Sequence, residues 1–284
     1  AAKSANPIAS MISVPFEFSY DFGAKNGSAA IINVQPVVPV TIGEWNFISR
    51  PIIPMASVNG FIPGLPGNPS DPGDCNTSNG EFTGFGDINY SLFVSPVQSG
   101  SIIWGIGPSI SLPTATFEEL GTGKWSAGPT LVALTQPKPW TIGILARQIW
   151  SFAGEKDRSS VSQMVLQPFV NYALSEGWYL STSPVVVSNW KAKSKNRWTV
   201  PLGGGVGRVF KLGCQPVNLR AEAYGNVVKP LSLGKCSSLP LPTCHSASEP
   251  WPRDNTTAPV SLGFGVDRAT SSSKTRCSNC RLDD

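Results

Sequence analysis

The sequence predicts an all-β protein, a transmembrane antiparallel up-and-down β-barrel of about 12 strands. Three observations predict this fold: long stretches in which apolar and polar residues alternate, turns that are alternately short and long, and tryptophans at the ends of the alternating stretches. A barrel strand needs about 9–11 residues with two unlike faces, because one face meets lipid and the other faces the interior.

The composition disfavours other classes of protein. Of the 284 residues, 40% are hydrophobic, 10% are aromatic and only 14% are charged, with a formal net charge of +4. Disordered chains usually have few aromatics and a high net charge. A membrane helix needs roughly 18 consecutive apolar residues, and the chain has no such stretch. The 28 glycines and 26 prolines, spread along the chain, disfavour long helices.

Alternation with a period of two predicts about eleven strands before residue 230. In the first strand Phe16, Phe18 and Tyr20 share one face, and Glu17 and Asp21 share the other. The predicted strands are 14–23, 29–42, 45–56, 83–96, 101–114, 124–135, 140–153, 161–174, 178–191, 198–211 and 216–228.

The connections between these strands alternate in length. Those around 43–44, 98–100, 136–139, 175–177 and 212–216 are short, whereas most of those between them, such as 56–82 and 115–123, are longer and polar. Short turns on the periplasmic side and longer loops on the outer side are typical of membrane barrels.

Eight tryptophans fall at or near the predicted strand ends, where an aromatic girdle at the membrane boundary would lie. They are Trp45, Trp104, Trp125, Trp140, Trp150, Trp178, Trp190 and Trp198.

Several stretches add a family resemblance to this pattern, among them VQPVVPVTIGEWNFISRPIIP at 34–54, WGIGPSISLPTAT at 104–116 and LQPFVNYALSEGWYLSTSPVV at 166–186. Residues 6–230 resemble an outer-membrane transporter family whose members are often labelled meta-pathway phenol-degradation-like proteins, or mislabelled neuromedin U. The resemblance implies a barrel in the outer membrane of a Gram-negative bacterium. It implies little about the solute, although the family label points to uptake of aromatic compounds.

We divide the chain into an N-terminal segment or plug (1–13), a β-barrel (14–230) and an atypical tail (231–284). Two interpretations of 1–13 stay open: a short helix in the lumen, or a disordered periplasmic leader. The tail loses both the alternation and the resemblance, and we hypothesise that it is a misread reading frame. Only 258–266 within it could form a strand. Eleven strands leave an open edge that lipid cannot satisfy, so the tail must close the barrel or leave it imperfect.

Seven ionisable residues fall on the polar face of the predicted strands and are expected to face the lumen. Two interpretations stay open: a charged constriction that filters solutes, or ion pairs that brace the wall. These residues are Glu17, Asp21, Arg50, Asp87, Arg147, Arg220 and Glu222.

We therefore expect an outer-membrane channel or transporter that passes small solutes, hydrophobic or aromatic ones included, through a narrow polar lumen. The alternatives are a structural or adhesive barrel with a blocked lumen, and a soluble β-sandwich that binds a ligand. No enzyme is expected, since the single histidine, His245, lies in the tail and no GxSxG occurs. The expected partners are outer-membrane lipid, a small-molecule solute and the barrel assembly machinery during insertion, with no nucleic acid, cofactor or metal.

Overall fold

The computed structural model describes residues 12–24, 27–60, 81–212, 215–228 and 260–268. Their fifteen strands all belong to one antiparallel sheet. The strands are β1 (Ile12–Ala24), β2 (Gly27–Val34), β3 (Val38–Ile42), β4 (Trp45–Gly60), β5 (Glu81–Phe85), β6 (Ile88–Pro96), β7 (Ile102–Leu112), β8 (Lys124–Thr135), β9 (Trp140–Gly154), β10 (Ser162–Ala173), β11 (Trp178–Thr182), β12 (Val186–Asn189), β13 (Trp198–Leu212), β14 (Gln215–Val228) and β15 (Val260–Arg268). Among the described residues, no helix is long and apolar enough to cross a membrane.

The sheet closes on itself. Strand positions that follow one another along the chain pair with each other, β9 pairs with β10, and β15 pairs with both β14 and β1. Three positions in the ring are each filled by two collinear segments: β2 with β3, β5 with β6, and β11 with β12. The described chain is therefore a barrel of twelve strand positions, which agrees with the predicted fold of about 12 strands, and the soluble-sandwich alternative is wrong because the sheet has no free edge.

The three interruptions are where the sequence predicts single long strands. The predicted strand 29–42 breaks between Val34 and Val38, around Pro36. The predicted strand 178–191 breaks between Thr182 and Val186, around Pro184. Proline has no N–H to donate to a ladder, so both breaks have a direct cause. The third break, at Gly86 and Asp87, separates β5 from β6 where Asp87 contacts a loop.

Two prolines inside strands do not interrupt the barrel, because they lie opposite each other. Pro108 on β7 lies opposite Pro129 on β8. Two missing donors thus face each other at one rung, and the ladder continues on either side.

The structure describes only a small part of the N-terminal segment (1–13) and of the tail (231–284). Ile12 and Ser13 belong to β1, and the rest of the predicted plug, 1–11, lies outside the described residues. Within the tail only β15 is described, two residues further along than the stretch 258–266. It pairs with β1 from Ile12 to Tyr20 and with β14 from Val217 to Ala223, so this strand fills the gap between the two.

The outside of the barrel is apolar. Large hydrophobic side chains at alternate positions are exposed, such as Phe16 and Phe18 on β1, Leu131 on β8 and Ile142 and Ile144 on β9. A closed barrel with such a band is stable when hydrocarbon, rather than water, covers it. The barrel therefore spans a membrane.

The eight tryptophans form two rows on this outer surface. Trp45, Trp104, Trp140 and Trp178 lie at the short-turn end, and Trp125, Trp150, Trp190 and Trp198 lie at the long-loop end. Seven of these rings are exposed, and Trp198 is partly exposed. Trp140 and Trp150 are ten residues apart on β9, which corresponds to about 33 Å along the strand at about 3.3 Å per residue, and to about 25 Å of height at a tilt of about 40°. That height is the thickness of the apolar band of an outer-membrane barrel.

Candidate functional site

The candidate site is the interior of the barrel, and strand alternation decides which side chains reach it. On β1, Phe16, Phe18 and Tyr20 are exposed on the outside, so Glu17 between them points inward. The same argument places Arg220 and Glu222 inside, because Leu219, Ala221 and Ala223 alternate with them on the outer face of β14.

A belt of polar side chains lies in the lumen between the two rows of tryptophans. We define this lumen belt as Glu17, Gln35, Arg50, Asn89, Arg147, Arg220 and Glu222. Gln35 links two of them: its Nε2 donates to Glu17 Oε2 at 2.9 Å, and its Oε1 accepts from Arg50 Nη2 at 2.7 Å. Because Gln35 is buried, this bridge is shielded from bulk water.

Arg147 reaches across the interior. Its Nη1 donates to Asn89 Oδ1 at 2.8 Å, although β9 and β6 are separated by β7 and β8. Asn89 lies opposite Ile52 of β4. Ile52 is two residues from Arg50 and shares the inner face of that strand with it. The guanidinium of Arg147 therefore ends beside the inner face of β4 that carries Arg50.

The other side of the belt is an ion pair. Arg220 Nε lies 3.6 Å from Glu222 Oε2, and the Glu222 side chain is almost fully buried. The Ser181 hydroxyl on β11 donates to the other carboxylate oxygen of Glu222. Nearby, Tyr179 Oη donates to Asn218 Oδ1 at 2.7 Å. Here the charges are paired and bonded to the wall, as expected if they brace it.

The remaining two predicted lumen residues lie apart from the belt. Asp21 is four residues further along β1 than Glu17, about 13 Å nearer the long-loop end, opposite Ala29. Asp87 is buried at the break between β5 and β6, where it holds a loop. Its Oδ2 accepts from the backbone N–H and the hydroxyl of Thr122, at 2.6 and 2.7 Å, and its Oδ1 accepts from the backbone N–H of Ala115 at 3.3 Å.

The loop that Asp87 holds, 113–123, covers the inner wall at the long-loop end. Its Leu120 is buried against Ala29 and Val58, with Ile31, Ala56, Phe82 and Ala115 around them. Arg158 clamps the same loop by donating to the carbonyl oxygens of Glu118 and Gly121, at 2.7 and 2.5 Å. This mouth loop therefore narrows the outer entrance.

The lumen is not polar throughout. Below the belt, towards the short turns, lies an inner apolar cluster of buried side chains with Ile103 packed against it. The cluster consists of Val37, Ile48, Phe93, Val132, Leu134, Leu145 and Phe169. The alternation does not predict this cluster. Ile48, Phe93 and Leu145 are nevertheless apolar residues at polar-face positions of their strands, and they could have indicated it.

Strand glycines make room for this cluster. A Cβ at Gly143 would overlap the ring of Phe169 and the Cβ of Leu134. The ring of Phe169 can therefore pack closely against residue 143 of β9 because that residue is glycine.

Within the described ranges, no three His, Cys, Asp or Glu side chains come together in a way that could hold a metal ion. The cysteines and His245 of the tail lie outside those ranges.

Comparisons with known proteins identify relatives by structure and not by sequence. No family model matches the chain, and no curated protein matches it. An outer-membrane channel from Pseudomonas putida F1 superposes with a TM-score of 0.61 at 11% identity, covering 94% of this chain and 98% of that one. The β-domain of the Bordetella autotransporter BrkA gives a TM-score of 0.42 at 12% identity, covering 91% of this chain and 98% of that one. The CymD monoaromatic hydrocarbon channel gives 0.41 at 8% identity, covering 94% and 92% of the two chains. The first likeness shows the fold: the chain is an outer-membrane β-barrel.

Proposed function

We propose that this protein is a channel in the outer membrane of a Gram-negative bacterium, and that it passes small solutes, hydrophobic or aromatic ones included. One observation carries the proposal. In the described residues, the lumen of a closed barrel holds three arginines and two carboxylates, and such groups are costly at membrane depth unless they line a water-filled path or pair. Part of this belt is paired, but within the part of the chain that the structure describes Arg147 bonds to a neutral amide and to no carboxylate.

Two further features support selectivity for solutes with apolar parts. Apolar side chains pack inside the barrel on both sides of the belt: the inner apolar cluster towards the short turns, and Leu120 of the mouth loop at the long-loop end. A solute that crosses the barrel would have to pass the charged belt between these two apolar zones. We further propose that the chain belongs to the transporter family that residues 6–230 resemble and that it is not an enzyme. We also propose that the barrel assembly machinery helps to insert it into the membrane.

A second candidate function is favoured by the mouth loop itself. Asp87 and Arg158 fix this loop with five hydrogen bonds, so the barrel could instead be structural, with a blocked lumen. Charge pairing between Arg220 and Glu222 fits that role as well.

Liposome swelling separates the two functions. The folded barrel is reconstituted into liposomes, and entry of arabinose and of sodium acetate is followed by light scattering, with protein-free liposomes as the control. A channel makes swelling faster for both solutes. Swelling at the protein-free rate for both solutes would contradict the channel and support the blocked barrel.

A further inference from the structure

The arginine pair in the lumen belt has an excess of positive charge. Arg50 donates to Gln35, and Arg147 donates to Asn89, so both guanidinium groups rest on neutral amides. Glu17 is linked to Arg50 through the amide of Gln35, and its charge also acts on Arg220. Among the described residues Arg147 has no carboxylate partner.

Two like charges close together in a partly buried place repel each other, and each guanidinium retains donors that a single amide oxygen does not use. An anion between the two would relieve the repulsion and accept those free donors. A carboxylate suits the planar fork of arginine, because it can accept two parallel N–H bonds.

Part of the wall beside the pair is apolar and still partly exposed, although Ser91 lies opposite Arg50 and Thr130 lies opposite Arg147. Val165 lies directly opposite Arg147 on β10, and Ile52 lies directly opposite Asn89 on β4. Leu145, two residues from Arg147 on the same face, begins the inner apolar cluster. A ligand held here by its anionic end therefore has its body against hydrocarbon.

We propose that Arg50 and Arg147 form a binding site for the carboxylate of a small amphipathic monocarboxylate, whose apolar body lies against Ile52, Val165 and Leu145. This site rests on the proposed channel function for its place on the solute path, and it narrows the solute class to monocarboxylates with an aromatic or short alkyl body. Arg220 is excluded from the site because Glu222 already neutralises it.

The test measures binding directly, without flux. Benzoate is titrated calorimetrically into the folded barrel in detergent, alongside acetate, which lacks the apolar body, and benzyl alcohol, which lacks the charge. Benzoate is expected to bind about tenfold or more tightly than either. Equal affinity for benzoate and acetate would overturn the apolar part of the site, and equal affinity for benzoate and benzyl alcohol would overturn the anionic part.

Variants locate the site. Arg147→Gln and Arg50→Gln are each expected to weaken benzoate binding by about ten- to a hundredfold, as the loss of a charged hydrogen bond does. Arg208→Gln is the matched control: it removes the same charge from the outer surface, where Arg208 lies over the Trp178 ring at 5.1 Å, and benzoate affinity should not change. Unchanged affinity in both lumen variants, or the same loss in all three, would overturn the proposal.

Two safeguards keep the test decisive. Folding of each variant is checked by its heat-dependent mobility in gels, and Arg147→Lys serves if Arg147→Gln does not fold, with a smaller loss expected because the charge stays. Binding without liposome swelling would leave the site standing and contradict the channel. Liposome swelling without benzoate binding would support the channel and overturn the binding site.

Discussion

Asp87 shows how a residue that its strand position assigns to the lumen wall can hold a loop that the strand pattern does not reveal. Alternation along 83–96 assigns it to the lumen wall. The chain breaks at Gly86 and Asp87, however, and the carboxylate turns to accept three hydrogen bonds from the mouth loop. This contact joins residues 28 and 35 positions apart in the sequence, so alternation within one strand cannot reveal it.

Asp87→Asn is predicted to loosen the mouth loop. The amide keeps one acceptor oxygen and places an N–H group against the donors of Thr122 or Ala115, so the free energy of unfolding should fall by about 2 kcal/mol or more. Urea unfolding followed by tryptophan fluorescence measures this change. The same variant should also carry more current in planar bilayers, since Leu120 is held less firmly at the entrance.

Asp157→Asn provides the control for this prediction. Asp157 is exposed in the connection between β9 and β10, and replacing it removes the same charge without touching the mouth loop. Both its stability and its conductance should match the unmodified protein. A stable Asp87→Asn variant with unchanged conductance would show that Asp87 does not control the loop.

At the scale of the strand, most of the barrel could be predicted, and the exceptions have identifiable causes. The outer face follows from alternation, because lipid accepts only apolar side chains there, as Phe16, Leu131 and Ile142 illustrate. The alternation does not predict the breaks at Pro36 and Pro184, because proline is compatible with the extended backbone on either side and removes only a backbone N–H donor. The inner face was predicted as polar, whereas its lower part is apolar. Lumen filling depends on which strands face each other across the interior, which no single strand encodes.

Gly143→Ala is predicted to destabilise the barrel through this lumen filling. The added methyl group would overlap Phe169 and Leu134, so one of them must move, at a cost of about 1–3 kcal/mol. Gly100→Ala is the matched control, because a Cβ there meets no atom within 4 Å. In urea unfolding, the midpoint concentration should be lower for Gly143→Ala and unchanged for Gly100→Ala. Equal midpoints for the two variants would contradict the packing of Phe169 over β9.

At the scale of the whole molecule, a closed apolar cylinder surrounds a lumen that changes character with depth. The two tryptophan rows mark the height of the membrane, and the lumen belt lies between them. Closure depends on β15, which comes from the stretch of the chain where alternation is weakest. The presence of a closing strand could be anticipated from the cost of an open edge in lipid, but its register could not.

Ion selectivity tests the central claim most directly, because it requires both that the lumen conducts and that the belt lies on the path. The folded barrel is inserted into a planar bilayer with a salt gradient, and the reversal potential is measured for the unmodified protein, Arg147→Gln and the control Arg208→Gln. We predict discrete channels with a preference for anions, which shifts towards cations in Arg147→Gln and stays the same in Arg208→Gln. Absence of conductance, or a reversal potential that Arg147→Gln leaves unchanged, would contradict a solute path through the lumen belt.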